Sequence, residues 1–247
     1  MAASELDSWD AVFFDIGGVV VSLPSIRQGY ADYVAEFAAE RGLDPAETLE
    51  EWRETLGDHF RSAEGTEYVT AREGYRKAFA AVVDGDLREE EWRPGFEAAT
   101  AEAMEPEPHA PETVRALADS GLHVGVVSDI DTWEAQRMLD RFGIADSVAS
   151  VTTSEAVGRK KPDAAMFETA IEAAGVAPGR SLMVGDRYEH DMVGATRVGL
   201  QTVAYDGTAA EAVADAEREG HRVLDDDAVD YAVEDLRDLL ALVGLED

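Results

Sequence analysis

Ala11-Val-Phe-Phe-Asp-Ile16 is an apolar run that carries one acid and is stopped by Gly17-Gly18. Apolar residues at successive positions need cover on both faces, which is how a strand buried inside a parallel sheet reads. The glycine pair marks a tight turn, so Asp15 belongs to the carboxyl end of that strand. Runs of the same kind recur at residues 123–128 (HVGVVS), 148–153 (VASVTT), 181–184 (SLMV) and 201–204 (QTVA), which makes five expected strands. Between the later strands, Val114, Leu117 and Ala118 precede Gly121; Ala135, Met138, Leu139 and Phe142 precede Gly143; and Phe167, Ala170, Ile171 and Ala174 precede Gly175. Their i, i+3, i+4 spacing predicts three helices, each with a glycine where a C-terminal cap belongs. Strands alternating with helices predict an α/β fold whose parallel sheet is covered on both faces.

Residues from about Pro24 to Pro111 follow another pattern. Tyr30, Val34, Phe37 and Ala38 make one helical stripe ending at Gly42, and three further helical segments follow without a strand. Glu105-Pro-Glu-Pro-His-Ala-Pro111 closes the stretch with several residues biased away from helix. An all-helical insert at 24–111 is therefore expected between two parts of one α/β core, 1–23 and 112–247. Val233 to Val243 reads as a closing amphipathic helix.

The chain has 247 residues, 45% of them hydrophobic, which is enough to bury a large core despite its charge. That charge is −32, from 53 Asp and Glu against 21 Lys and Arg. The acids are scattered along the whole chain, and only Lys77, Lys160 and Lys161 are lysine, the other 18 basic residues being arginine. This pattern resembles the cytoplasmic proteins of extreme halophiles, where molar salt shortens the Debye length to ~3 Å and screens the self-repulsion. The same field repels phosphate backbones, and no basic stripe interleaved with aromatics is present, so neither nucleic acid nor an anionic membrane is an expected partner. The absence of cysteine excludes disulfides, thiol catalysis and thiolate metal sites. No charged-then-apolar leader and no apolar run of roughly 18 residues occurs, so a soluble, cytoplasmic location is expected.

Three polar groups stand at expected strand ends: Asp15 on the first, Ser128 on the second and Asp186 just after the fourth. In doubly wound sheets ligands sit outside the carboxyl ends of the strands, where the strand order reverses. The three converge there if the first strand lies between the second and the fourth. The wider stretches are Phe13-Phe14-Asp15-Ile16-Gly17-Gly18-Val19-Val20, Val126-Val127-Ser128-Asp129, Gly158-Arg-Lys-Lys161-Pro162-Asp163, and Met183-Val-Gly185-Asp186-Arg-Tyr-Glu-His-Asp191-Met-Val-Gly194-Ala195. In this order they resemble the four motifs of the haloacid dehalogenase-like hydrolase superfamily, most of whose members are magnesium-dependent phosphatases. The resemblance covers essentially the whole chain, and the helical insert sits where that family carries a helical cap.

The resemblance implies a Rossmann-like core whose Asp15 is a nucleophile toward a small phosphorylated metabolite. It further implies that Asp15, Asp186 and the backbone carbonyl of Gly17 hold Mg²⁺, with Asp191 supporting the ion through its water shell. Ser128 would donate a hydrogen bond to the transferring phosphoryl group, and Lys161 would set a fixed positive charge between nucleophile and phosphate. These residue types suit the chemistry. A phosphate monoester repels a carboxylate, an oxygen-only donor set suits Mg²⁺, and fixed cations stabilise the charge that develops during transfer. The histidines His59, His109, His123, His190 and His221 lack metal-ligand spacing and are expected at the surface.

The chain departs from the family at Gly17, where most of its phosphatases carry a second aspartate as general acid and base. Loss of such a group costs ~10²–10⁴ in rate. Asp129, Asp131 or a residue of the insert are candidates to replace it. The family's dehalogenase branch also lacks that aspartate. It has an aromatic residue there, however, and uncharged residues in place of Gly185-Asp186, so 2-haloacid dehalogenation is the second enzymatic reading. A weakened member that only binds a phosphorylated ligand or a partner is the third. Val126-Val-Ser-Asp129-Ile-Asp131-Thr132 mimics the first motif, but a nucleophile at Asp129 would leave the first strand without a role. Among the arginines of the insert, Arg27, Arg53, Arg61, Arg72 and Arg76 have the charge to hold an acidic substrate, although helix-surface pairing accounts for most of them.

Overall fold

A computed structural model describes residues 9–83, 87–218 and 228–245. After β1 (Ala11–Phe14) come four helices, α1 (Leu23–Glu40), α2 (Pro45–Arg61), α3 (Ala71–Val82) and α4 (Arg93–Ala103). Strands and helices then alternate: α5 (Ala110–Asp119), β2 (His123–Ser128), α6 (Thr132–Arg141), β3 (Ser150–Thr153), α7 (Ser154–Val157) and α8 (Ala164–Ala174). The chain continues with β4 (Ser181–Gly185), α9 (Val193–Thr196), β5 (Gln201–Tyr205), α10 (Gly207–Arg218), β6 (Tyr231–Val233) and α11 (Asp238–Leu242). Two compact units result, one comprising residues up to Val21 and from Pro106 onward, the other Ser22–Glu105.

The first unit is built on one six-stranded sheet in the order β3-β2-β1-β4-β5-β6, with every neighbouring pair parallel. Strand order reverses at β1, as the convergence of Asp15, Ser128 and Asp186 requires. Phe14 lies opposite Val126 of β2 and Val184 of β4, so the chain leaves all three strands along the same edge. All four residues of β1 are buried, in keeping with a strand covered on both faces. Phe13, Val127, Met166, Phe167, Met183 and Leu200 pack together beneath that edge. Each contributes about 1.5–3 kcal/mol of apolar burial and fixes the strand ends that carry polar groups. Gly121, Gly143 and Gly175 have φ of +90°, +62° and +66°, the left-handed conformation that ends a helix without Cβ strain.

The structure corrects the sequence reading at three places. The run 148–153 begins its strand only at Ser150, because Ala145–Ser147 form a 3-10 turn. Val233 does not open the final helix. It closes a sixth strand, and the helix spans only Asp238–Leu242. β6 is three residues long and sits at the sheet edge, half-exposed, so it lacks the continuous apolar run that a buried strand shows.

The second unit is all helical, with α1 against α2 and α4, and α2 against α3. Tyr33, Phe37, Trp52, Tyr75, Phe79, Trp92 and Phe96 interlock at its centre, with Phe79 and Trp92 stacked 4.6 Å apart. Arg61, Arg72 and Arg76 pair with Asp58, Glu89 and Glu73 on exposed helix faces, while Arg27 and Arg53 are exposed. Among the described residues no helix is long and apolar enough to cross a membrane.

Candidate active site

Asp15 follows β1 directly and is held by its own backbone and its neighbour's. Its N–H donates to Val184 O (3.0 Å), and its Oδ1 accepts from Ile16 N–H (2.8 Å). The carbonyl of Ile16 then accepts from Val20 and Val21, closing a tight turn that bridges Gly17 to Val21. Gly18 within the turn has φ +81°, and a Cβ there would stand 2.5 Å from Asp186 Oδ2. Position 18 therefore requires glycine twice over, for its backbone conformation and for the close approach of Asp186.

Asp186 follows β4, and Asp191 lies in a π-helical turn, Tyr188–Met192, of the kind that often marks functional sites. Asp191 Oδ2 accepts from Arg187 N–H (2.9 Å). A Cβ at Gly185 would collide with Asp191, so the glycine ending β4 makes room for that carboxylate. Asp15, Asp186 and Asp191 are all buried, and one ligand atom from each lies within 4.8 Å of the others. Asp186 Oδ1 is buried without a hydrogen-bond partner, a costly arrangement for a carboxylate. Asp191 Oδ1 likewise has no hydrogen-bond partner, and an oxygen-only triad with two such oxygens fits a hard divalent cation.

Lys161 is fully buried beside this triad. Its Nζ lies 3.0 Å from Val127 O, 2.6 Å from Asp191 Oδ1 and 3.1 Å from Asp15 Oδ2. Burial works against its charge, but Asp15 and Asp191 outweigh that and raise its pKa above the ordinary lysine value. Ser128 closes β2 opposite Thr153 and is buried. The sheet thus brings Asp15, Ser128, Lys161, Asp186 and Asp191 to one edge, with the Gly17 backbone in the turn beside them.

Both carboxylate oxygens of Asp129 are engaged by neighbouring groups. Its Oδ1 accepts from Lys161 N–H (2.7 Å) and from the Ser154 hydroxyl (2.9 Å). Its Oδ2 lies 3.0 Å from Arg187 Nη2 and 3.3 Å from His190 Nδ1. Burial alone would raise its pKa, but the His190 hydrogen bond and the charges of Lys161 and Arg187 hold it well below the usual carboxylate range. It stays ionised at neutral pH. Asp131 is buried with its Oδ2 accepting from Trp133 Nε1, 3.2 Å away.

Sequence reading missed Arg187 and His190. The available signal was an arginine directly after Gly185-Asp186. The expected surface location also fails for His59, which is buried with Nε2 2.9 Å from Thr70 O. His123 is half-buried, its Nε2 2.8 Å from Ser150 Oγ. His221 lies outside the described residues.

Residues 9–199 match the family model of the haloacid dehalogenase-like hydrolases. The chain belongs to that family. It is an enzyme of the hydrolase class, consistent with its site. The ribulose-1,5-bisphosphate 5-phosphatase of Halopiger xanaduensis is 28% identical over 244 residues, covering 95% of this chain and 99% of that protein. Among solved structures, a phosphatase of the family from Thermococcus onnurineus has a TM-score of 0.69 at 24% identity, covering 96% of this chain and 99% of that one. The L-2-haloacid dehalogenase of Xanthobacter autotrophicus has a TM-score of 0.66 at 20% identity, covering 96% and 100%. Phosphatase and dehalogenase share this fold, so the choice between them falls to the site residues.

One expectation concerns the metal-free protein. Burial and the charges of Asp15 and Asp191 raise the pKa of Asp186 from 3.8 to about 7. A carboxyl whose folded pKa lies above its unfolded value holds its proton more tightly when folded. Stability therefore falls as pH rises from about 4 to about 7. A divalent cation relieves the repulsion that causes this and competes with the proton. In thermal melts at fixed KCl, the Tm gain on adding MgCl₂ is expected to be larger at about pH 8 than at about pH 5.5. Equal gains would contradict a cation site at the triad.

Proposed function

We propose that the chain is a Mg²⁺-dependent phosphatase that hydrolyses a small phosphorylated metabolite through an aspartyl-phosphate on Asp15. The observation that carries this reading is the buried Asp15–Asp186–Asp191 triad with two oxygens that lack hydrogen bonds, set against Lys161. Asp15, Asp186, Asp191 and the Gly17 carbonyl would hold the ion, which when bound supplies the positive charge that lets a carboxylate approach an anionic ester. The chain's own residues supply the rest. Asp15 is fixed by Ile16 N–H and attacks phosphorus; the bond to the leaving oxygen breaks, and that oxygen departs with the electron pair. Ser128 donates to a phosphoryl oxygen, and Lys161 holds a positive charge beside the carboxylate throughout. Water then cleaves the aspartyl-phosphate, releasing orthophosphate and restoring Asp15. We assign substrate choice to the helical unit, Ser22–Glu105, as a cap. Dehalogenation needs no cation, and two buried carboxylates at 186 and 191 are poorly suited to a site that must bind a haloacid anion without one.

Gly17 gives the proposal its sharpest consequence. No side chain at that position protonates the leaving oxygen, so esters with good leaving groups are expected to have kcat/KM ~10²–10⁴ above alkyl phosphates. Gly17→Asp is expected to narrow the gap; equal values for aryl and alkyl esters in the native protein would contradict the reading of Gly17. The reading as a whole is tested with p-nitrophenyl phosphate in molar KCl. Turnover is expected with Mg²⁺ and not with chelator, whereas turnover of a 2-haloacid in its place would overturn it.

A further inference from the structure

The proposed chemistry gives Arg187 no role, yet it stands beside the nucleophile. Its Nη2 lies 3.0 Å from Asp129 Oδ2 and 3.6 Å from Asp15 Oδ2, the first a hydrogen bond and the second too long for one. The guanidinium is thus anchored on Asp129 and adjacent to Asp15 without being bound to it. Its side chain is 35% exposed. Among the described residues no hydrogen bond engages its Nε or Nη1. Most donors of a rigid, permanently charged fork are therefore uncommitted.

Lys161 differs in this respect. Three oxygens lie within 3.1 Å of its Nζ, that of Val127 as a hydrogen bond and those of Asp191 and Asp15 as ion pairs. Its charge is set against two carboxylates on a fully buried side chain. The overall charge points the same way. The carboxylates of Asp15, Asp129, Asp186 and Asp191 outnumber the fixed cations Lys161 and Arg187 beside them, so a phosphate dianion needs direct donors as well as a divalent cation. Beyond the Ser128 hydroxyl, the Arg187 fork is a cationic group at this edge with N–H atoms to spare.

We propose that Arg187, positioned by Asp129, binds an anionic oxygen of the phosphoryl group that Asp15 attacks. This rests on the phosphatase reading and adds Arg187 to Ser128 as a direct phosphoryl contact. Planar two-point recognition of phosphate is what a guanidinium provides and an ammonium does not.

The test is orthophosphate binding by isothermal titration calorimetry to the Mg²⁺-loaded protein, with kcat and KM for p-nitrophenyl phosphate measured in parallel. Native protein, Arg187→Gln and Arg187→Lys are compared at about 0.2 M and about 2 M KCl, because high salt screens a distant charge but not a direct contact. Arg187→Gln is expected to weaken orthophosphate about 10–100-fold at both salt concentrations, and Arg187→Lys about fivefold. Unchanged affinity in Arg187→Gln, or a loss that disappears at high salt, overturns the inference and leaves the phosphatase reading standing. If Arg187→Gln does not fold, Arg187→Lys decides, and native-like affinity in that variant overturns the inference. A native protein that neither binds orthophosphate nor hydrolyses any ester overturns both.

Discussion

Asp15→Asn is expected to lower kcat for p-nitrophenyl phosphate by ~10⁴ or more while leaving the protein folded, since removing a covalent nucleophile removes the pathway itself. An amide keeps the acceptor for Ile16 N–H and the shape of the side chain. Two electrostatic changes oppose each other in the variant. Lys161 loses one of its two carboxylates, and Asp186 and Asp191 lose a like-charged neighbour. The melting temperature is therefore expected to move little, and calorimetry beside the assay separates loss of chemistry from loss of fold. Retention of a tenth of native activity in a folded Asp15→Asn protein would exclude Asp15 as nucleophile.

Lys161→Met is the second large effect, and it falls on stability as well as rate. Lys161 is fully buried, and its ammonium is the positive charge set between the carboxylates of Asp15 and Asp191. Breaking a buried ion pair by removing one partner costs about 3–5 kcal/mol, because the other partner is left uncompensated. Loss of a preorganised charge at the reacting group costs a further ~10²–10³ in kcat. Since the stability loss is electrostatic, MgCl₂ is expected to recover part of it, which it would not do if the lysine stem only filled space. Denaturant titrations with and without Mg²⁺ check this, and a Lys161→Met protein as stable as native in the absence of metal would contradict it.

The residues nearest the nucleophile were legible for particular reasons. β1, β2 and β4 are covered on both faces, so each reads as an unbroken apolar run, and the polar residue at each end stands out against it. Lys161 stood out because it is one of only three lysines. Gly17 was visible as a departure from the family pattern. Asp129 was not legible. Its partners Ser154, Lys161, Arg187 and His190 come from three separate segments, and no local spacing links them. Taken alone, Asp129 resembles the start of a second nucleophile motif, and nothing in its neighbours points to its contacts with the Lys161 backbone and Arg187. His59 misled for a related reason. A polar residue on a helix is read as exposed unless a partner is known, and its partner Thr70 lies beyond the end of α2.

The missing acid at Gly17 also makes the central claim open to direct observation. In the second half-reaction the same position would have activated water, so aspartyl-phosphate hydrolysis is expected to be slow here. An aryl ester needs no acid to phosphorylate Asp15, and the intermediate is then expected to accumulate. The most direct measurement is an acid quench of native protein turning over p-nitrophenyl phosphate with Mg²⁺ in molar KCl, followed by peptide mass spectrometry. The predicted result is a phosphoryl group on Asp15, absent from the Asp15→Asn protein. A phosphoryl group on any other residue, or an active native protein with none at any time during the first turnover, would contradict the mechanism.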